Sequence, residues 1–141
     1  MSSNERDKAR GKDHELLFSK TLASSFADAV ARTKELLAAN GFGVLSEIDV
    51  ASTLKAKLGV DMAPYVILGA CNPQYAHRAL EIQSKIGTML PCNVIVREAA
   101  PGSIEVAAVD PVASMQAVEN AALAAVAEPV RGLLERVIAE L

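Results

Sequence analysis

The sequence predicts an α+β fold, a two-layer sandwich of about five strands in a mixed, mostly antiparallel sheet with helices mainly on one face. Three observations carry this expectation. Period-two and period-3.6 apolar patterns alternate along the chain in the order β-α-β-α-β-α-β-β-α. Only three of the helices are substantial, too few to cover both faces of the sheet. Pro101-Gly102 also separates two strand-like runs as a hairpin turn, which makes that pair antiparallel.

Each element has its own signal. His14 to Ala23 carries Leu16, Phe18 and Leu22 at period two and reads as the first strand. Ser25 and Asp28 have capping-box spacing, and Phe26, Val30, Thr33 and Leu37 follow as one stripe of an amphipathic helix that Asn40-Gly41 closes. Gly43 to Val50 is a second strand whose alternation predicts Val44, Ile48 and Val50 on one face and Leu45, Glu47 and Asp49 on the other. Ala51 to Leu58 is a short helix ending at Gly59. Pro64 to Cys71 is a third strand, apolar on both faces, which is the pattern of a strand buried on both sides. Asn72-Pro73 starts a helix running to about Ile86, with Asn as cap and Pro at the first helical position. Cys92 to Glu98 and Ser103 to Val109 form the hairpin. Asp110-Pro111 repeats the cap-plus-proline start, and an alanine-rich helix runs to the end, kinked or interrupted near Pro129.

The chain has 141 residues, enough for one domain over 14–141, with 1–13 a mixed-charge, disordered tail. A net charge of −3 argues against nucleic acid and anionic membranes as partners. No apolar run approaches the roughly 18 residues that span a bilayer. The N-terminus lacks the apolar core of a secretory signal, so the expected location is cytoplasmic and both cysteines are expected as free thiols.

A series of motifs supports a family resemblance. The segments Asn40-Gly41-Phe42-Gly43-Val44-Leu45-Ser46-Glu47-Ile48-Asp49-Val50, Pro64-Tyr65-Val66-Ile67-Leu68-Gly69-Ala70-Cys71-Asn72-Pro73 and Leu90-Pro91-Cys92-Asn93-Val94-Ile95-Val96-Arg97-Glu98, with Asp110-Pro111 and Met115, closely resemble the domain-of-unknown-function 302 family over roughly Phe18 to Leu141. The resemblance implies a small bacterial or archaeal α/β protein that dimerises and has no assigned activity. It supplies no catalytic residues to carry over.

The chemistry-bearing residues are few. Cys71-Asn72 and Cys92-Asn93 flank one helix; each offers a thiol and an amide, and their meaning depends on topology. If the third and fourth strands run parallel, the cysteines lie on the order of 20 Å apart; if antiparallel, both pairs reach one rim. Glu47 and Asp49, two apart on a strand, put carboxylates about 6–7 Å apart on one face, where Tyr65 and Arg97 are expected to complete an acidic-basic-aromatic groove for a small polar ligand. Two cysteines and one mid-chain histidine make a poor zinc site, so no metal and no cofactor are expected. The doubly apolar third strand requires a cover for its second face: a second copy of the chain, a ligand or the C-terminal helix. The leading expectation is a homodimeric small-molecule-binding or regulatory module, with Glu47, Asp49, Tyr65, Cys71, Asn72, Cys92, Asn93 and Arg97 as ligand candidates. The alternative is an enzyme using Cys71 or Cys92 as nucleophile and Glu47, Asp49 or His77 as base.

Overall fold

The computed structural model describes residues 17–116 and 118–141. The expected tail over 1–13 and the expected start of the first strand at His14 lie outside the described residues. Five strands, β1 (Leu17–Ala23), β2 (Gly43–Asp49), β3 (Tyr65–Cys71), β4 (Cys92–Ala100) and β5 (Ser103–Val109), form one sheet in the order β1-β5-β4-β3-β2. Every neighbouring pair is antiparallel. The α+β expectation holds, but the sheet is not mixed. The physical reason is that α3 (Pro73–Ile82) and a 3-10 turn (Ser84–Met89) return the chain across the sheet rather than carrying it back to a parallel start.

One face of this sheet carries the core. Cross-strand register aligns Leu68 with Val94 and Val94 with Ala108, and Val66 with Val96 and Val96 with Val106. Against these rows α1 (Phe26–Ala39) sets Ala29, Leu36 and Leu37, and α5 (Ala121–Glu140) sets Val130, Leu134 and Val137. Each fully buried Leu or Val contributes roughly 1.5–3 kcal/mol. With aromatics only 4% of the chain, tight aliphatic packing has to supply the core. A satellite cluster of Ala79, Ile86 and Leu123 joins α3, the 3-10 turn and α5.

The caps largely follow the sequence. Ser25 Oγ accepts the Asp28 N–H at 3.1 Å, and buried Thr33 satisfies its hydroxyl by donating to Ala29 O at 2.7 Å. Gly41 takes φ +86°, the left-handed conformation that ends α1. Two boundaries differ. The helix after Pro73 stops at Ile82, and Asp110-Pro111 opens only the one-turn α4 (Pro111–Ser114), with a new cap at Asn120 starting α5. Pro129 lies inside α5 without ending it, because the helix runs unbroken from Ala121 to Glu140.

Strand β2 departs from its predicted alternation. Val44 pairs with Ala70, yet Ser46 pairs with Gly69, so Leu45 is an extra residue in a bulge. The bulge shifts the phase by one. Val44 stays on the core side, but Glu47 and Asp49 now align with Leu68 and Val66 on that same side, and Ile48 moves to the opposite face beside Ile67. Val50 belongs to the next helix, α2 (Val50–Leu58). Leu45 itself is 71% exposed.

Among the described residues, no helix packs over the second face of the sheet. Tyr65, Ile67, Ile95, Arg97, Glu105, Ala107 and Val109 alternate with the core residues of their strands and so point to it. The C-terminal helix does not cover them, since α5 packs into the core cluster on the other face. Arg97 Nε and Glu105 Oε1, directly opposite across β4 and β5, form an ion pair at 2.7 Å.

Candidate functional site

Antiparallel pairing of β3 and β4 brings both Cys-Asn dipeptides to one rim of the sheet. Ala70 pairs with Cys92, so Cys71 follows one register step further along the ladder, at the end of β3. Cys92 is buried, Cys71 is half-buried, and both are free thiols. They line a cavity of about 40 Å³ closed by α3 and α5, with Phe42, Tyr75, Met115 and Leu123 among its walls. A groove of about 330 Å³ adjoins it and shares Pro91, Cys92, Pro111 and Met115, adding Asn93, Thr88 and Ser114 as polar lining. Among the described residues, no charged side chain lines either chamber.

Local sequence builds this rim. A Cβ on Gly69 would lie 2.8 Å from Pro91 Cγ and press on the Ser46 hydroxyl, so glycine lets Pro91 and the bulged β2 close over β3 just before the cysteines. Asn72 occupies the N-cap position of α3 with Pro73 after it, but its side chain makes no cap hydrogen bond. The capping role expected of Asn72 is therefore corrected: its amide turns toward the Gly41 turn and the cavity wall. Asp110, buried at the end of β5, accepts the Val112 and Ala113 N–H groups at 3.0 and 3.3 Å and contacts Arg131 Nε at 3.1 Å. That Arg131 contact is ionic rather than a directed hydrogen bond, and Nε has no other partner among the described residues.

The thiols are held in the neutral form. Burial, with a smaller contribution from the nearby Cys71, pushes the Cys92 thiol up to about 11. Burial also raises Cys71. A dry apolar site disfavours the anion, the opposite of what an activated nucleophile needs.

The eight candidate residues do not form one groove. Cys71, Asn72, Cys92 and Asn93 meet at the rim. Tyr65 and Arg97 lie on the open face, and Arg97 is engaged by Glu105. Glu47 and Asp49 lie on the other side of the sheet because of the bulge, so the expected acidic-basic-aromatic groove is not assembled. Lys34 binds Glu47 at 2.8 Å, and Asp49 caps α2 by accepting the Ser52 N–H at 2.9 Å. That N–H and the Ser52 hydroxyl hold the Asp49 carboxyl below the usual carboxylate range. Lys55, on α2, pairs with Asp61 at 2.7 Å. His77 is exposed on α3 and contacts Glu81 at 3.4 Å, away from both thiols' cavity. Among the described residues no three His, Cys, Asp or Glu side chains gather to hold a metal, and no helix is long and apolar enough to cross a membrane. The Lys34–Glu47 pair is solvent-exposed, so Glu47→Gln is expected to cost under about 1 kcal/mol, read from the denaturation midpoint.

Sequence reasoning missed the walls of the rim, notably Phe42, Tyr75, Leu90 and Met115. Tyr75 follows Asn72 by three positions and so stands near it on the first turn of α3; that spacing was the available signal. Nothing local could have placed Met115 or Leu123, which reach the rim through α5 and the segment before it.

A five-stranded antiparallel sheet with one helical layer and an uncharged rim cavity defines the class: a small two-layer α+β domain. The family model for the domain of unknown function DUF302 matches residues 18–141, and the chain belongs to that family. Its fold is similar to the crystal structure of an uncharacterized conserved DUF302 protein from Bacillus stearothermophilus, at 28% identity and a TM-score of 0.80, covering 87% of this chain and 95% of that one. No curated protein matches.

Proposed function

We propose that the protein is a cytoplasmic, homodimeric small-molecule-binding module whose ligand occupies the rim where the two Cys-Asn dipeptides meet. The observation that carries this reading is the paired chamber: an apolar cavity of about 40 Å³ opening beside a groove of about 330 Å³. The inner chamber admits only a few atoms, while the groove falls in the size range of small-ligand sites. The absence of charged lining selects an uncharged ligand, its polar end at Asn93, Ser114 and Thr88 and a small apolar end toward Cys92 and Met115. Protein-observed methyl NMR with a set of neutral and charged fragments tests this. Neutral fragments are expected to bind and to shift the Met115 methyl signal. Binding by charged fragments alone, or by none, would sink the reading.

The competing reading is a cysteine-dependent enzyme, and the raised thiols count against it. At pH 7 a thiol near 11 has about 100-fold less thiolate than one near 9. The greater nucleophilicity of the more basic anion returns about tenfold. Cys92 is therefore expected to alkylate at least about tenfold more slowly in the folded chain than in denaturant, with Cys71 reacting first. Mass-spectrometric alkylation kinetics check this, and a Cys92 faster than an unfolded thiol would restore the enzyme reading.

A further inference from the structure

We infer that the open face of the sheet is the homodimer interface, occupied by a second copy packed sheet against sheet. This inference rests on the homodimeric reading above and names the surface that achieves it. The central strand is β4, and the middle of its open side is Ile95, flanked in register by Ile67 on β3 and Ala107 on β5. Ile48, moved here by the bulge, extends the apolar row to the far edge strand and is 48% exposed.

Three features select a second copy as the occupant. The first is charge. The strands place only two charged residues on this face, Arg97 and Glu105, opposite in sign and adjacent. A two-fold axis running along the strands between β4 and β5 sets Arg97 against the partner's Glu105, and the reverse, so the face complements itself. A partner of strong net charge finds nothing to match here, which disfavours nucleic acid. The second is shape. The same axis puts bulky Ile95 over the partner's Ala107, so large meets small at the centre, where interdigitating sheets need it.

The third feature is area. Five strands of about seven residues span roughly 24 Å by 24 Å. Such a footprint is roughly 600 Å², and its corrugated accessible surface approaches the roughly 800 Å² per partner of a standard stable interface. The face is thus large enough for a dimer without borrowing the helical layer. The rim groove lies at the strand ends against the 3-10 turn and α4, and meets this face only at its margin, through Asn93 and Val109.

Sedimentation of the full chain, with Ile95→Asp, Arg97→Glu and Glu105→Arg variants, tests the inference. Wild type is expected to sediment as a dimer. Each variant is expected to raise the dimer dissociation constant by at least about 100-fold while keeping the native circular dichroism spectrum. Mixing the Arg97→Glu and Glu105→Arg chains is expected to restore a dimer, because one face is then doubly negative and the other doubly positive. That rescue cannot come from the ion pair within one chain, and it holds the test even if Ile95→Asp fails to fold. A monomeric wild type overturns the homodimeric reading as a whole. A dimer that survives all three substitutions, or charge variants that do not rescue each other, overturns the sheet face alone.

Discussion

Replacing Asp110 with alanine is expected to lower folding stability by roughly 2–4 kcal/mol. Two losses combine. The carboxylate caps α4 through two backbone N–H groups, and losing such a cap costs about 1 kcal/mol. It is also the ionic partner of Arg131 Nε, which has no other partner among the described residues; stranding a buried polar group costs about 1–3 kcal/mol. Asp110→Asn keeps an oxygen for the cap and loses only the charge, so it should cost about half as much. Chemical denaturation of both variants checks the ordering. Equal losses would mean that the cap contributes nothing, and no loss in either would remove Asp110 from the structure's supports. The guanidinium also lies 5.8 Å from the centre of the Phe18 ring, so loosening Arg131 reaches β1 as well as α5.

Raising the pH above 9 is expected to remove roughly 2–3 kcal/mol of stability through Cys92 alone. The sign follows from its environment. The folded protein holds this thiol near 11, whereas an unfolded cysteine ionises near 8.5–9. Below the unfolded value both states are protonated and the contribution is fully present. Between about 9 and 11 the unfolded chain ionises and the folded one does not, so stability falls; above 11 the loss is complete. Lysines and tyrosines titrate in the same window, so the measurement is the difference between wild type and Cys92→Ala in stability against pH. The variant should show the shallower decline. Parallel profiles would mean that Cys92 is not held neutral by burial.

Most of the element sequence was legible because short-range signals fix it. Ser25 with Asp28, Asn40-Gly41 and Pro101-Gly102 act over two to four residues, and each turned out where its chemistry requires. The face assignment of β2 was not legible. A bulge costs one residue of phase, and nothing in Val44-Leu45-Ser46 announces which residue will be unpaired. That single residue separated Glu47 and Asp49 from Tyr65 and Arg97, so the predicted groove dissolved. Topology was the other gap. Periodicity is blind to strand direction, and only the return path through α3 and the 3-10 turn decides that Cys71 and Cys92 meet. The apolar pattern of β3 was legible because it depends on alternation alone; Val66, Leu68 and Ala70 bury in the core, while Tyr65 and Ile67 are only partly buried on the second face.

The bulge at Leu45 also limits how copies of this chain can add to one another. A flat, regular edge strand presents a row of free N–H and C=O groups onto which another molecule's strand can zip, and repeated zipping gives filaments. On β2 the extra residue breaks that row, and exposed Glu47 and Asp49 add charge beside it. At the opposite edge α5 packs along β1, and Lys20 reaches from β1 to the carbonyl of Leu141 at 2.6 Å. With both borders blunted, edge-to-edge polymerisation is discouraged.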